Sequence, residues 1–289
     1  MKQISLEELL EAGCHFGHQV TRSNPKARDF VFESRDNIQI IDLAKTKEGL
    51  DEAAEFARTL GLKGGSLLVV GTKRQAKEIV EEEIRRVKEV LKEAKKEDAG
   101  KLYYITQRWV GGVLTNFTEI SRNFKKLTDL RDKTTKEEEK SKYTKKELGL
   151  FEKEIQRLDS FYKGIFQMQQ KPDALFIIDS RMENLAVREA LNMGVETIAM
   201  VDTNADPFVI DHPIPANDDA VGSIKLIVSH ILDAWAEGVK AQKPPKVEKP
   251  QEEKPSKEAP KEEKKQKEKK EVKKVLPVNK KVAAVKAKK

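Results

Sequence analysis

Apolar positions along the chain fall into two kinds of run, and their order predicts a layered α/β domain. Residues 66–71, 174–179 and 196–202 are short, nearly continuous apolar runs, the pattern of strands buried on both faces; residues 37–43 and 102–106 read as further strands. Between them the period changes to that of amphipathic helices. One spans Lys45 to Leu60 and ends at Gly61; the next carries Ile79, Ile84, Val87, Leu91 and Ala94 on one face. Two more run from Leu185 to Met193, stopped by Gly194, and from Ala220 to Val239. Ser5 to Glu8 fits a capping box ahead of Leu9 and Leu10, and Thr72 to Gln75 fits a second one. Strands alternating with helices predict a parallel sheet covered on both sides.

Residues 114–167 interrupt this alternation. Phe117, Ile120, Phe124 and Leu127 are spaced 3, 4 and 3; Leu148, Phe151, Ile155, Leu158, Tyr162 and Ile165 are spaced 3, 4, 3, 4 and 3. Both series match a heptad seam, and the charged stretch from Lys133 to Lys146 has to reverse the chain between them. The expectation is an inserted antiparallel coiled-coil hairpin, an arm on the order of 30 Å long at ~1.5 Å per residue. Arg122, Lys125 and Lys126 lie off the seam, where they either face a partner or meet water. The arm begins at a junction, residues 107–117 (QRWVGGVLTNF), whose Gly111-Gly112 pair separates strand from helix. Arg108, Trp109 and Asn116 there suit a surface that stacks on bases or grips a sugar-phosphate backbone. Trp109 as core and Arg108 as solvated charge is the equal alternative.

Charge divides the chain in two. Residues 240–289 hold 19 Lys and 8 Glu, a net +11, which leaves the preceding 239 residues at −4 although the whole chain is +7. From Lys243 onward the composition is dominated by Lys, Glu, Pro and Ala, which cannot bury enough apolar surface to fold. The expected organisation is a body at 1–240, containing the arm, and a disordered basic tail at 241–289. The lone cysteine, Cys14, excludes an internal disulfide and a cysteine-built zinc site. The N-terminus intersperses acids among its leucines, and no run reaches the ~20 apolar residues of a membrane span. A soluble, cytoplasmic protein is expected.

Few residues invite chemistry. The strand–turn–helix around residues 66–75 resembles a phosphate-binding corner but lacks both G-x-G-x-x-G and G-x-x-x-x-G-K-[ST]. Lys73 and Arg74 at a helix start could still meet an external phosphate. His15 and His18, three apart, have no third ligand nearby, so a glycine-flanked structural loop is the reading. Asp179, Asp202, Asp218 and Asp219 fall at strand ends or in loops, where an α/β protein places its site. They read as turn and cap residues; the alternative is a cation held by Asp202, Asp218 and Asp219. No activated nucleophile or G-x-S-x-G is present, so an enzyme is not expected, nor a cofactor. A DNA-binding reading resting on the tail would leave the arm and the junction without a purpose.

Several blocks, in order, carry a resemblance. They are residues 12–18 (AGCHFGH), 24–26 (NPK), 37–43 (NIQIIDL), 70–74 (VGTKR), 108–116 (RWVGGVLTN), 172–179 (PDALFIID), 201–204 (VDTN) and 214–220 (IPANDDA). Together they resemble the bacterial ribosomal protein S-two family, over residues from near the start to about 240. The resemblance implies a flavodoxin-like, three-layer α/β domain with a coiled-coil arm and a non-enzymatic role on the small ribosomal subunit, between head and body. It implies contact with small-subunit ribosomal RNA and neighbouring proteins, and in many bacteria with the messenger-binding protein S-one. RNA contacts from the N-terminal segment, the junction and the arm would map here onto Lys26, Arg28, Lys73, Arg74, Arg108, Trp109, Asn116, Arg122, Lys125 and Lys126. Two features depart from the family: residues 81–100 are longer than usual, so the helix there should extend, and the tail is longer than in many members.

Overall fold

The computed structural model describes residues 3–94 and 102–242. In chain order the elements are α1 (Leu6–Glu11), β1 (Phe16–Gln19), β2 (Val31–Arg35), β3 (Ile38–Ile41), α2 (Leu43–Leu62), β4 (Leu67–Val70), α3 (Lys77–Glu93) and β5 (Leu102–Ile105). They continue with α4 (Phe117–Thr135), α5 (Glu137–Lys140), α6 (Lys145–Tyr162), β6 (Ala174–Ile177), α7 (Asn184–Met193), β7 (Glu196–Val201), β8 (His212–Pro215) and α8 (Val221–Ala241).

Five strands form one parallel sheet in the order β5-β4-β6-β7-β8. Numbered among themselves these strands run 2-1-3-4-5, the doubly wound order in which the chain changes direction beside the first strand. Every residue of β4 and β6 is buried, which is why both read as unbroken apolar runs. Their side chains alternate between two cores. Leu67, Val69, Phe176, Ile198 and Met200 face a core shared with α2, α3 and α8, around the fully buried Trp235. Leu68, Val70, Leu175, Ile177 and Val201 face a second core that takes in α7, the junction and the roots of α4 and α6. Helices on both sides of the sheet give the three layers expected.

The hairpin helices contact each other across their apolar stripes. The ring of Phe124 meets those of Tyr162 and Phe166 edge-on, at 5.6 and 5.9 Å. Asn123, early in α4, touches Tyr162 at the end of α6, whereas Lys133, late in α4, lies over the ring of Phe151 near the start of α6. The pair therefore runs antiparallel. Thr144 and Glu147 restart the chain as α6 with a reciprocal capping box.

Three expectations change and one strand is added. The second capping box does not form: α3 starts at Lys77, its N-cap Ala76 makes no side-chain bond, and the Thr72 hydroxyl instead donates to Glu183. The strand expected at 37–43 belongs to a separate antiparallel sheet, β1-β3-β2. Its hairpin turns at Asp36 and Asn37, both at positive φ (50° and 64°), the backbone of a two-residue type I′ turn. The helix at the junction begins at Phe117, because residues 111–116 are spent in turns. Finally, β8 was not visible in the sequence: its Pro213 and Pro215 are tolerated because it is an edge strand, paired only with β7. The extension after Glu81 is helical to Glu93; residues 95–101 and the tail from 243 lie outside the described residues.

Candidate nucleic-acid interface

Two charged sites flank the carboxyl ends of the parallel strands. The first gathers residues from four loops. Lys73 follows β4, Asp179 follows β6, Asp202 follows β7, and Asp218 and Asp219 follow β8. The Lys73 Nζ lies 2.6 Å from Asp219, 2.8 Å from Asp218 and 3.4 Å from Asp179. Burial alone would lower the pKa of this ammonium, but the surrounding carboxylates, Asp218 foremost, carry it above the usual lysine value. Asp218 is pushed up to about 7, by burial first and then by the charges of Asp179 and Asp202.

The N-terminal segment is fastened onto this centre. Asn24 N donates to the Thr203 carbonyl (2.8 Å), His18 N to Thr203 Oγ1 (2.9 Å) and Asn217 N to the Cys14 carbonyl (3.1 Å). Glycine at position 17 permits this approach, since a Cβ there would come within 2.6 Å of Thr203 Cγ2. The His18 ring stands between Asp202 (3.1 Å) and Asp219 (3.5 Å). The buried Asp202 Oδ2 has no aligned hydrogen bond of its own, and the His18 Nδ1 is the polar atom beside it. The contact with Asp202 raises the His18 pKa above its ordinary value, against the opposing effect of burial.

His18, Asp218 and Asp219 each offer a ligand atom within 4.8 Å of the others, so one imidazole and two carboxylates could hold a divalent cation. The grouping differs from the alternative weighed from sequence, in which Asp202 stood in the place of His18. Such a cation would compete with Lys73, whose ammonium already shares Asp218 and Asp219.

The second site is the junction. Glu189 of α7 turns its carboxylate into the loop and accepts from Gly112 N (2.8 Å), Leu114 N (3.1 Å), Thr115 N (3.2 Å), Thr115 Oγ1 (3.1 Å) and Trp109 Nε1 (3.2 Å). The loop reaches this shape through Gly112, at φ +97°, which a side chain would oppose. Burial raises the Glu189 pKa, but the donors outweigh it and hold the carboxyl below its usual range. The loop is thus an anion nest filled by the protein's own carboxylate. Sequence reading passed over Glu189. Its one signal is position: it falls on the buried stripe of α7 beside Ala186 and Ala190.

The ten residues expected to meet RNA separate accordingly. Trp109 is core, 4% exposed, with its indole N–H committed to Glu189, so its ring is no open stacking platform. Lys73 is committed to three carboxylates. Lys26, Arg122 and Lys126 are exposed and paired with Asp206, Glu119 and Glu154, surface pairs of the solvent-screened kind that a phosphate can replace. Arg28, Arg74, Arg108 and Lys125 are exposed and have no ion pair among the described residues. Asn116 is exposed at the start of α4 and makes no side-chain cap.

A family model described as "Ribosomal protein S2" matches residues 9–238. The chain belongs to the ribosomal protein S2 family. "Small ribosomal subunit protein uS2" of Fusobacterium nucleatum subsp. nucleatum is similar to it, 42% identical over 238 residues, covering 82% of this chain and 91% of that protein. The resemblance carried by the sequence blocks is therefore correct at the level of the S2 family. Both charged sites fall inside the matched residues.

Proposed function

We propose that the protein is a structural, non-enzymatic constituent of the cytoplasmic small ribosomal subunit, where it binds small-subunit ribosomal RNA and touches neighbouring ribosomal proteins. The match to the S2 family across residues 9–238 carries this reading. The side chains support it: four exposed cations without ion partners among the described residues lie on the N-terminal segment, the loop after β4, the junction and α4. Lys26, Arg122 and Lys126 add cations held only by exposed pairs. The charged centre has a different task, fixing the N-terminal segment onto the sheet so that Lys26 and Arg28 are held in place.

Within this reading the antiparallel pair α4 and α6 is the coiled-coil arm of the body, residues 1–240, and lies along RNA. Residues 241–289 are a polycationic tail that adds phosphate contacts, anchored by the body. Recruitment of the messenger-binding protein S-one is a further role that the S2 family suggests. The test is sedimentation of tagged full-length protein and of residues 1–242 through a sucrose gradient of cell lysate. Both should travel with the small subunit. Failure of both would overturn the ribosomal reading; loss of the shorter form alone would move the binding into the tail.

A further inference from the structure

Between the junction and the arm lies a cavity of about 420 Å³, lined by Arg108 and Trp109 on one side and by Asn123, Arg157, Phe161 and Tyr162 on the other. That volume is within the range of small-ligand pockets, ~300–1,000 Å³. Its lining combines three kinds of group. Arg108 and Arg157 are guanidinium groups at the surface, Phe161 is a half-buried aromatic ring, and Asn123 and Tyr162 are polar. Asn123 Nδ2 donates to Tyr162 Oη at 3.1 Å. The Tyr162 hydroxyl proton and Asn123 Oδ1 have no partner among the described residues, leaving one donor and one acceptor there.

The positive charge at this cavity is only partly compensated. Arg108 has no ion pair among the described residues, and Arg157 shares a single carboxylate, Glu154, with Lys126. An apolar guest would leave the guanidinium groups and the polar pair unused. A nucleotide uses all of them: a phosphate for the arginines, a π-face for the aromatic ring, and base-edge groups for Asn123 and Tyr162. The junction wall is held in place by the Glu189 bonds to Trp109 and Gly112, so the cavity is preorganised.

We propose that this cavity receives one unstacked nucleotide of single-stranded ribosomal RNA, with its base against Phe161 and its phosphate between Arg108 and Arg157. The proposal rests on the RNA-binding reading above and adds to it a specific seat that sequence did not reveal, since Arg157 and Phe161 lie forty residues or more from the junction.

The test compares full-length wild type, Phe161→Leu and Arg108→Gln for binding to a small-subunit ribosomal RNA transcript across a salt series. Phe161→Leu keeps an apolar lining but removes the ring, and should weaken binding about tenfold at every salt concentration with the slope unchanged. Arg108→Gln should lower the salt slope by about one phosphate contact. Wild-type affinity in a folded Phe161→Leu protein would overturn the nucleotide seat while leaving RNA binding intact. No binding by wild type would overturn both. If Phe161→Leu fails to fold, ultraviolet cross-linking of wild type on the same transcript decides. A nucleotide adduct on the peptide carrying Phe161 and Tyr162 upholds the seat, and adducts confined to other peptides overturn it.

Discussion

Lys73 and Arg108 occupy equivalent places with opposite surroundings. Each lies three residues beyond the end of a strand, Lys73 after β4 and Arg108 after β5, and those strands are parallel neighbours in register. Lys73 is ringed by Asp179, Asp218 and Asp219, whereas Arg108 is exposed and meets no carboxylate among the described residues. Two cations that read alike in sequence thus do different work. One closes the fold by compensating acids brought together by the sheet; the other stands exposed with no such acid beside it among the described residues. A basic residue's role in such a protein is set by its partners, not by its place in a motif.

The largest effect is expected on removing Lys73. Lys73→Met should cost about 3 kcal/mol or more at neutral pH, because it leaves a cluster of carboxylates uncompensated. A urea titration measures it. The pH dependence has a defined sign. A carboxyl such as Asp218, whose folded pKa is raised, favours folding most below its unfolded value and loses that advantage as pH rises through about 7. Without the ammonium this rise continues further, so the deficit of Lys73→Met should be largest above pH ~7 and shrink on acidification.

Next in size is Glu189→Gln. A glutamine offers one acceptor oxygen to donors that now share two, and turns an N–H₂ toward backbone N–H groups. A loss of about 2 kcal/mol is expected by thermal or urea unfolding, with RNA affinity falling as well because the junction wall loosens. Glu189→Asp should not restore stability, since the shortened side chain withdraws from the loop.

The effect of His18 is smaller and depends on pH. Its folded pKa is raised, so its contribution is complete below the unfolded value of ~6.5 and is lost as pH rises through the folded value. In chelator-treated buffer the stability gap between wild type and His18→Gln should therefore narrow from pH ~6 to pH ~9. A gap that widens with pH would assign His18 some other role.

Much of the fold is legible in the sequence because burial on both faces writes β4, β6 and β7 as apolar runs, and the helices write their own period. The prolines of β8 hide it, since an edge position is a property of the sheet rather than of the segment. The capping box at Thr72 looked sound locally but lost to a tertiary partner, Glu183, 111 residues away. The sites are legible only in part. The aspartates were noticed as strand-end residues, but His18 joins them through contacts spanning about 200 positions, which no local pattern encodes. Residue type and position mark Arg108 and the arm cations as exposed, whereas Trp109 is sorted into the core only by its indole bond to Glu189.

The smallest expected stability change belongs to Arg108→Gln, within ~0.5 kcal/mol, as for other exposed substitutions. That makes the most direct test a paired one: unfolding free energy and affinity for small-subunit ribosomal RNA, each measured on full-length Lys73→Met and Arg108→Gln. Lys73→Met should lose stability at neutral pH and, in acid where it is folded, bind RNA nearly as wild type does. Arg108→Gln should keep its stability and lose affinity and salt dependence. A stable Lys73→Met protein that has lost RNA binding, or an Arg108→Gln protein that binds as wild type, would contradict it.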